Sequence, residues 1–220
     1  VDGPVLIAEA LESPLSVRAV YVEGDPMRGS TEQVLEDVAD AGGVVRQVRP
    51  GTLAKVLDLA TPQGLVAVVE QPASDMHEAV RLAAASSRPV LVLVAVSDPG
   101  NVGTLVRSAE ASGCAAVVLA GECADVFNPK AVRATAGALF RVPTPRCGSL
   151  AEVASVAAMA GMPLVGTVGA DGVAPENVAM HAAVLIVVGS EAHGLDDDEV
   201  GLCDHLVTVP MDGDVESLNA

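Results

Sequence analysis

The chain has 220 residues, of which 50% are hydrophobic and 19% are charged, and its formal net charge is −17. This composition excludes a disordered chain and predicts a globular protein with one large or two small domains. The acidity argues against a general polyanion binder, because phosphate contacts need Lys and Arg. However, five of the twelve basic residues fall between positions 107 and 146, which leaves room for a local basic face. One Tyr and two Phe are too few for the aromatic platforms of single-strand binders.

The sequence lacks a membrane-spanning run, a signal peptide and a CxxC pair, and these absences bear on the protein's location and on its cysteine chemistry. No apolar run approaches about 18 residues and the N-terminus lacks a basic stretch, so we expect no membrane span or signal peptide, and a cytoplasmic protein. The four cysteines lie far apart without a CxxC pair. Their spacing favours reduced thiols over a zinc site or a disulfide framework.

The first third of the chain predicts a small α/β domain. Apolar residues recur at helical spacing in some segments and form short β-branched runs in others. The predicted helices are residues 3–11 and 31–41, and the predicted strands are residues 17–22, 43–48 and 65–69. A polar, proline-containing stretch at 70–75 predicts a linker, which gives domains at 1–72 and 73–220.

The remainder alternates apolar strands with helices. The predicted strands are residues 89–96, 117–119, 164–168 and 183–188, and the predicted helices are residues 102–111, 129–136 and 150–160. This alternation indicates an α/β fold with a parallel sheet covered on both faces. Ligands of such folds bind in the loops that follow the carboxyl ends of strands. We therefore expect the site in the loops after Val96, Val168, Val188 and Val209.

The first of these loops contains the pattern Asn-x-Gly-x-x-x-Arg, from Asn101 through Gly103 to Arg107. Asn101 is expected to cap the following helix, and Arg107 falls near its second turn, within reach of the strand ends. A solvent-facing arginine on a capped helix is the alternative. The Gly-x-x-Gly spacing matches neither a GxGxxG turn nor a P-loop, which argues against a Rossmann-like nucleotide binder.

The loop after residue 188 reads Gly-Ser-Glu-Ala-His-Gly-Leu, starting at Gly189. A glycine directly after a buried strand would let a ligand approach the backbone, and Glu191 would place a carboxylate at the mouth of the sheet. A tight turn capped by Ser190 is the alternative. His193 has no second histidine at metal-ligand spacing, so no metal is expected.

The final segment, from Val209 to Ala220, reads Val-Pro-Met-Asp-Gly-Asp-Val-Glu-Ser-Leu-Asn-Ala. In this order, the three segments together resemble motifs one, two and three of the SpoU (TrmH-type) RNA ribose methyltransferases of the SPOUT superfamily. This resemblance covers residues 90–220. The first domain resembles the family's L30e-like substrate-binding extension through Gly-Pro-Val-Leu-Ile-Ala-Glu-Ala-Leu from Gly3 and Thr-Pro-Gln-Gly-Leu from Thr61.

The resemblance implies an L30e-like α/β domain followed by a parallel-sheet SPOUT domain with a C-terminal trefoil knot. It also implies a homodimer that uses S-adenosylmethionine to methylate a ribose 2′-hydroxyl of RNA. Ribosomal RNA is the favoured substrate because of the L30e-like extension. Transfer RNA and a catalytically silent RNA-binding role are the alternatives. The family continues past Ser-Leu-Asn with a helix, which lies beyond this sequence.

The same resemblance assigns roles to individual residues. Arg107 would hold an RNA phosphate and stabilise the developing alkoxide, since a guanidinium that stays protonated is a poor base. Asn101 would orient Arg107, while Glu191 and Asn219 would maintain the loop geometry. The implied cofactor-binding residues are Gly189, Val209 and Leu218, with Thr167, Met211 and Ser217 as neighbours. The candidates for RNA phosphate contacts are Lys130 and Arg133, for which a solvated helix face is the alternative.

Overall fold

A computed structural model describes residues 1–24, 30–57, 63–178 and 183–210. The chain divides into two compact units, Val1–Pro72 and Ala73–Ala220. Within the described ranges, no helix is both long enough and apolar enough to cross a bilayer.

Unit 1 is a three-stranded sheet with helices. Its elements are α1 (Pro4–Leu11), β1 (Val17–Glu23), α2 (Ser30–Asp40), β2 (Val44–Val48), α3 (Thr52–Leu57) and β3 (Leu65–Val69). The strand order is β2-β1-β3, with β1 parallel to β2 and antiparallel to β3. The helices α1 and α2 pack on the sheet and bury Ile7, Val38 and the strand residue Val20 completely.

Unit 2 is an α/β fold around a six-stranded parallel sheet. Its elements are α4 (Met76–Ser86), β4 (Val90–Val94), α5 (Pro99–Ala111), β5 (Ala116–Ala120), α6 (Pro129–Thr135), β6 (Arg146–Cys147), α7 (Leu150–Ala160), β7 (Leu164–Thr167), β8 (Leu185–Val188), α8 (Asp197–Val200) and β9 (His205–Val207). The order is β6-β5-β4-β8-β7-β9, and the described pairs are all parallel. The predicted α/β class with a parallel sheet is confirmed.

Burial explains the apolar runs of the central strands. Every residue of β4 and β5 is buried, because α4 and α7 pack in one cluster with these strands and α5 also contacts them. A parallel strand covered on both faces needs no polar side. The trefoil knot is expected in the C-terminal part of the fold, where residues 211–220 lie outside the described ranges, and it stays a prediction.

Among the described residues, the sequence analysis did not predict three α-helices, α3, α4 and α8. The helix α4 follows directly on the predicted linker, whose last residue, Asp75, caps it by accepting a hydrogen bond from the Glu78 N–H at 2.8 Å. The helices α3 and α8 have six and four residues, too few to show helical periodicity. The final strand ends at Val207 rather than Val209.

Replacing Leu119 tests how much the sheet core contributes to stability. Leu119 is fully buried in β5, so Leu119→Ala is expected to lower the free energy of unfolding by about 2–5 kcal/mol through lost burial and a residual cavity. Urea denaturation followed by circular dichroism measures this loss. Leu82→Ala, at a helix position that is 50% exposed, is the matched control and is expected to cost much less. Equal losses in the two variants would contradict the assigned core.

Candidate active site

The carboxyl ends of four parallel strands of unit 2 lie at one edge of the sheet. The register places Leu93 opposite Val188, Gly166 opposite Val187, and Thr167 opposite Val207. The loops after β4, β7, β8 and β9 therefore leave the sheet at the same edge, as the sequence predicts. Directly after β4, Ala95 has a φ of 51°, a left-handed conformation in which a residue with a Cβ carries strain.

The start of α5 differs from the sequence prediction. Asp98, not Asn101, is the N-cap, and its carboxylate accepts a hydrogen bond from the Asn101 N–H at 2.9 Å. Pro99 occupies the first helical position, where its fixed φ favours the helix and its missing N–H costs nothing. The prediction that Asn101 caps the helix is wrong because the Asp-Pro pair begins the helix earlier. Asn101 lies in its first turn and its amide is free to reach another loop.

That amide reaches Glu191, in the loop after β8. Asn101 Nδ2 donates to Glu191 Oε1 at 2.9 Å. The other carboxylate contacts come from the loop after β4: the backbone N–H groups of Ser97 and Asp98 donate to Glu191 at 3.2 and 3.3 Å. One carboxylate thus ties the loop after β8 to the N-terminus of α5. We call this set, Glu191 with Ser97, Asp98 and Asn101, the Glu191 clip.

The clip favours an ionised Glu191. Partial burial raises the pKa of Glu191, but hydrogen bonds from Asn101 and from the backbone N–H groups of Glu191 itself, Ser97 and Asp98 together leave it below its usual value. Bonds to the charged form have this effect because protonation would weaken them. Near neutral pH the clip is therefore a charge-assisted contact.

Among the described residues, Asn101 and Arg107 make no direct hydrogen bond, and the expected orientation of Arg107 by Asn101 stays a prediction. The two residues are six positions apart, which on an α-helix means about 120° around the axis and about 9 Å along it. The Asn101 amide is committed to Glu191. Within the described ranges, the exposed Arg107 guanidinium makes no hydrogen bond or ion pair. Asn101 can therefore influence Arg107 only through the placement of the helix.

The helix α5 lies unusually close to α6. A Cβ on Gly103 would stand 2.3 Å from the Ala131 carbonyl oxygen and 2.7 Å from the Ala134 Cβ. Only a glycine lets the two helices approach to this distance. Val102 and Val106 on the same helix are fully buried. The glycine of the Asn-x-Gly-x-x-x-Arg pattern thus holds the helix that carries Arg107 against α6.

Some basic residues of this region pair with acceptors of the protein itself, and others are available to bind an anion. Lys130 Nζ lies 2.6 Å from Asp98 Oδ2, and this ion pair, followed by the Asn101 N–H, lowers the pKa of Asp98. Arg141 pairs with Glu110, and Arg146 donates to the Cys123 carbonyl at 2.9 Å. Among the residues that the structure describes, Arg133 has no hydrogen bond or ion pair, and it is exposed. Arg107 and Arg133 are therefore available to an anion.

The predicted cofactor residues divide into described and undescribed ones. Thr167 ends β7, and its hydroxyl donates to the Val187 carbonyl at 2.9 Å. Val209 follows β9 and is 51% exposed. Gly189 is buried, and a Cβ there would lie 2.2 Å from the Gly194 carbonyl carbon. The residues Met211, Ser217, Leu218 and Asn219 lie outside the described ranges.

The structure explains the glycine at position 189 differently from the sequence analysis, which expected it to let a ligand approach the backbone. The space that its side chain would fill is occupied by the chain's own turn, in which Ser190 and Gly194 exchange two backbone hydrogen bonds. Glycine is thus needed to fold the 190–194 segment back onto the end of β8. Among the described residues, no group of three or more His, Cys, Asp and Glu side chains could hold a metal ion.

Sequence reasoning missed Asp98 and the packing role of Gly103. The Asp98-Pro99 pair is a recognisable signal for a helix start. The close approach at Gly103 had no local signal, because its cause is Ala131, which lies on another helix.

Comparison with known proteins connects both units to one kind of enzyme. The model of the SpoU rRNA Methylase family matches residues 88–220, and the model for RNA 2′-O ribose methyltransferase substrate binding matches residues 2–74. The chain is 31% identical over 219 residues to the 23S rRNA (guanosine(2553)-2′-O)-methyltransferase RlmP of Bacillus subtilis (strain 168), covering 100% of this chain and 82% of that protein. It is 35% identical over 191 residues to the 23S rRNA (uridine(2479)-2′-O)-methyltransferase of Streptomyces viridochromogenes, covering 80% and 65%.

Solved structures agree over the full chain. The SpoU methyltransferase AviRb from Streptomyces viridochromogenes superposes with a TM-score of 0.84 at 30% identity, covering 100% of this chain and 82% of that one. The AdoMet-bound rRNA methyltransferase from Sinorhizobium meliloti superposes with a TM-score of 0.84 at 27% identity, covering 100% and 80%.

Adding one methyl group at Gly103 tests the contact between α5 and α6. Gly103→Ala places a Cβ against the Ala131 carbonyl and is expected to lower the free energy of unfolding by about 1–3 kcal/mol through overpacking. The matched control is Gly169→Ala, whose Cβ would meet no atom within 4 Å. Thermal denaturation compares the two, and a neutral Gly103→Ala would show that the helices are not in tight contact.

The Glu191 clip predicts a pH dependence with a definite sign. Because folding lowers the pKa of Glu191, its stabilisation is present above the unfolded value of 4.5 and is lost as pH falls through the lower folded value. Glu191→Gln mimics the protonated form, so its deficit in unfolding midpoint against the parent is expected to be full near neutral pH and to shrink in acid. Glu122→Gln, at an exposed glutamate, is the control. A deficit that stays constant with pH would refute the charged clip.

Proposed function

The chain belongs to the SpoU rRNA methylase family, and on that premise we propose that it transfers a methyl group from S-adenosylmethionine to a ribose 2′-hydroxyl of ribosomal RNA. The observation that carries the proposal is Arg107, which is exposed and free of protein partners among the described residues, on a helix held in place at two points. Relatives that match the chain over most of its length are named as 23S rRNA 2′-O-methyltransferases.

The sheet edge has the chemistry that S-adenosylmethionine requires. On this proposal the exposed Val209 offers an apolar surface to the adenine ring, and backbone groups of Thr167 and Gly189, at the ends of β7 and β8, contact the cofactor. Between β8 and β9 the chain carries six acidic side chains, five of them at Glu191 and across 196–199, and their negative field suits a cationic sulfonium. When bound, the cofactor supplies an electrophilic methyl group. Leu218, Met211 and Ser217 complete the proposed cofactor set.

Arg107 solves the main chemical difficulty of the reaction. A ribose hydroxyl is a weak nucleophile near neutral pH, and negative charge develops on its oxygen as it attacks. A guanidinium beside that oxygen stabilises the charge, and the same fork can hold the adjacent phosphate. Arg107 thereby orients the nucleotide and lowers the cost of forming the alkoxide.

Asn101 and Glu191 act as positioning residues. Through the clip they hold the first turn of α5 against the loop after β8, while Gly103 holds the middle of the helix against α6. These two contacts determine where Arg107 stands relative to the cofactor loops. Asn219, outside the described ranges, is proposed to stabilise the last of those loops.

Arg133 is the stronger of the two proposed phosphate contacts. It is exposed one helical turn from Lys130 and has no partner among the described residues. Lys130 can bind a phosphate only by sharing or leaving its pair with Asp98, which also caps α5. We further propose a homodimer, in which the second copy helps to complete each site.

Replacing Arg107 tests the proposed reaction. The assay follows labelled methyl from S-adenosylmethionine into protein-free ribosomal RNA and, separately, into transfer RNA. We expect label on ribose 2′-oxygens of ribosomal RNA, and Arg107→Ala is expected to lower kcat/KM about 10²–10³-fold through lost charge stabilisation. The control is Arg81→Ala, at an exposed arginine of α4 paired with Glu78.

Cofactor binding separates the outcomes of this test. Thermal stabilisation by S-adenosylhomocysteine is expected to be equal in the parent and in Arg107→Ala, because Arg107 is assigned to the RNA side. Label in transfer RNA alone would replace the proposed substrate. No label in any RNA despite cofactor binding would refute the enzyme and favour a silent RNA-binding homologue.

A further inference from the structure

Lys130 lies at the start of α6 and reaches the start of α5. Its N–H donates to the side chain of Asn128, the N-cap of α6, at 2.9 Å. Its Nζ lies 2.6 Å from Asp98 Oδ2. A cation in the first turn of a helix meets the positive end of the helix dipole, which disfavours it. Within α6 the lysine charge therefore has no favourable role, and it pairs instead with the carboxylate that caps the neighbouring helix.

Asp98 divides its two carboxylate oxygens between two helices. Its Oδ1 accepts a hydrogen bond from the Asn101 N–H at 2.9 Å and so caps α5. Its Oδ2 pairs with Lys130 of α6. The hydrogen bond from Lys130, followed by the Asn101 N–H, lowers the pKa of Asp98, because both stabilise the charged form. One ionised carboxylate thus joins the N-termini of α5 and α6.

The glycine at position 100 gives an independent observation of this contact. Gly100 lies in the first turn of α5 and does not have a positive φ, so the backbone gives no reason for a residue that weakens a helix relative to alanine. A Cβ there would stand 2.7 Å from Asp98 Oδ1 and 3.0 Å from Lys130 Cε. The glycine therefore makes room for the carboxylate and for the lysine stem, which lie directly over the backbone of α5.

The start of α5 is held from both neighbouring strands. In the sheet, β4 lies between β5 and β8. The loop after β8 supplies Glu191, and the chain after β5 leads to Lys130. Both contacts meet at Asp98, whose N–H donates to Glu191 Oε1 at 3.3 Å and whose side chain pairs with Lys130. The Glu191 clip attaches α5 on the β8 side, and Lys130 attaches it on the β5 side.

The exposure of the ion pair indicates what it contributes. The side chains of Lys130 and Asp98 are 57% and 43% exposed, and exposed pairs add little to global stability. The placement of a reacting group is much more sensitive, since a displacement of about 1 Å can cost about 10²-fold in rate. The pair therefore matters more to the position of α5 than to the free energy of unfolding.

We propose that Lys130 is a positioning residue of the methyl transfer: through Asp98 it holds the start of α5, and with it the helix that carries Arg107, from the α6 side. The proposal rests on the proposed function, in which Arg107 stabilises the attacking oxygen. It assigns Lys130 no contact with RNA. The phosphate contact on α6 is left to Arg133, which is exposed and has no partner among the described residues.

The first test compares rate with RNA affinity. Lys130→Gln is expected to lower kcat about tenfold while KM for ribosomal RNA stays unchanged, because α5 shifts and the phosphate contacts remain. RNA affinity and its salt dependence are also expected to stay unchanged. Arg81→Gln removes the same charge from another exposed ion pair and is expected to keep kcat.

Salt dependence identifies a phosphate contact directly. Arg133→Gln is expected to weaken RNA binding and to reduce the slope of log affinity against log salt by about 0.7, the value for one single-strand phosphate contact. The same reduction in Lys130→Gln would show that Lys130 binds a phosphate and would overturn the proposal. An unchanged kcat in Lys130→Gln would overturn it as well.

The second test disturbs the pair without removing a charge. The Cβ of Gly100→Ala would meet only the ends of two flexible side chains, so the thermal unfolding midpoint is not expected to fall. We expect kcat to fall as in Lys130→Gln, and the double variant to be no slower than either single one, since both act through one contact. Additive losses, or full activity of Gly100→Ala, would contradict the assigned role.

Hydrogen exchange separates this proposal from the proposed function, because it needs neither RNA nor methyl transfer. The Asn101 N–H donates to Asp98, and its exchange, followed by NMR, is expected to become severalfold faster in Lys130→Gln and Gly100→Ala but not in Arg81→Gln. Unchanged exchange would overturn the proposal and leave the enzyme intact. Faster exchange in a protein that methylates no RNA would refute the proposed function and leave the contact between α5 and α6 intact.

Discussion

One carboxylate joins the two loops on which the site depends. Glu191 accepts hydrogen bonds from residues about ninety positions earlier in the chain, and it does so at the N-terminus of α5. Helix N-termini attract negative charge because their first N–H groups lack partners within the helix. The Glu191 carboxylate is therefore stabilised by N–H donors without a Lys or Arg partner among the described residues. The strands β4 and β8 are neighbours in the sheet, and the clip joins the loops that follow them. It thereby fixes the position of α5 and of the backbone at Arg107.

Much of this fold could be predicted from the residue pattern because burial imposes it. The apolar runs of β4 and β5 indicate strands covered on both faces, and parallel strands bring their following loops to one edge. What the pattern could not supply was which side chains would meet there. Asn101 was expected at the cap and beside Arg107, but Asp98 competes for the cap and Glu191 takes the amide. Such outcomes depend on distant chain segments that local periodicity does not report.

The same distinction applies to charge. A net charge of −17 describes the whole chain and not the surface that an anion meets. Lys130, Arg141 and Arg146 are all occupied by the protein's own acceptors, whereas Arg107 and Arg133 are exposed and unoccupied in the described residues. Likewise, the composition offers one tyrosine, too few for an aromatic platform, and only the strand register shows that Tyr21 lies opposite Arg46. Whether a basic side chain is available to bind an anion therefore depends on the fold and not on the composition.

The glycine contact between α5 and α6 determines which partner adapts when the complex forms. At Gly103 the nearest atoms across the contact are the Ala131 carbonyl and the Ala134 Cβ, so no flexible side chain can repack at that point, and interiors packed this closely resist deformation. The backbone of α5, the helix that carries Arg107, is consequently rigid. On the proposed role of Arg107, a nucleotide can reorient the flexible guanidinium but cannot move the helix, so a larger misalignment must be taken up by the RNA. Part of the proposed discrimination then resides in how easily a given RNA distorts.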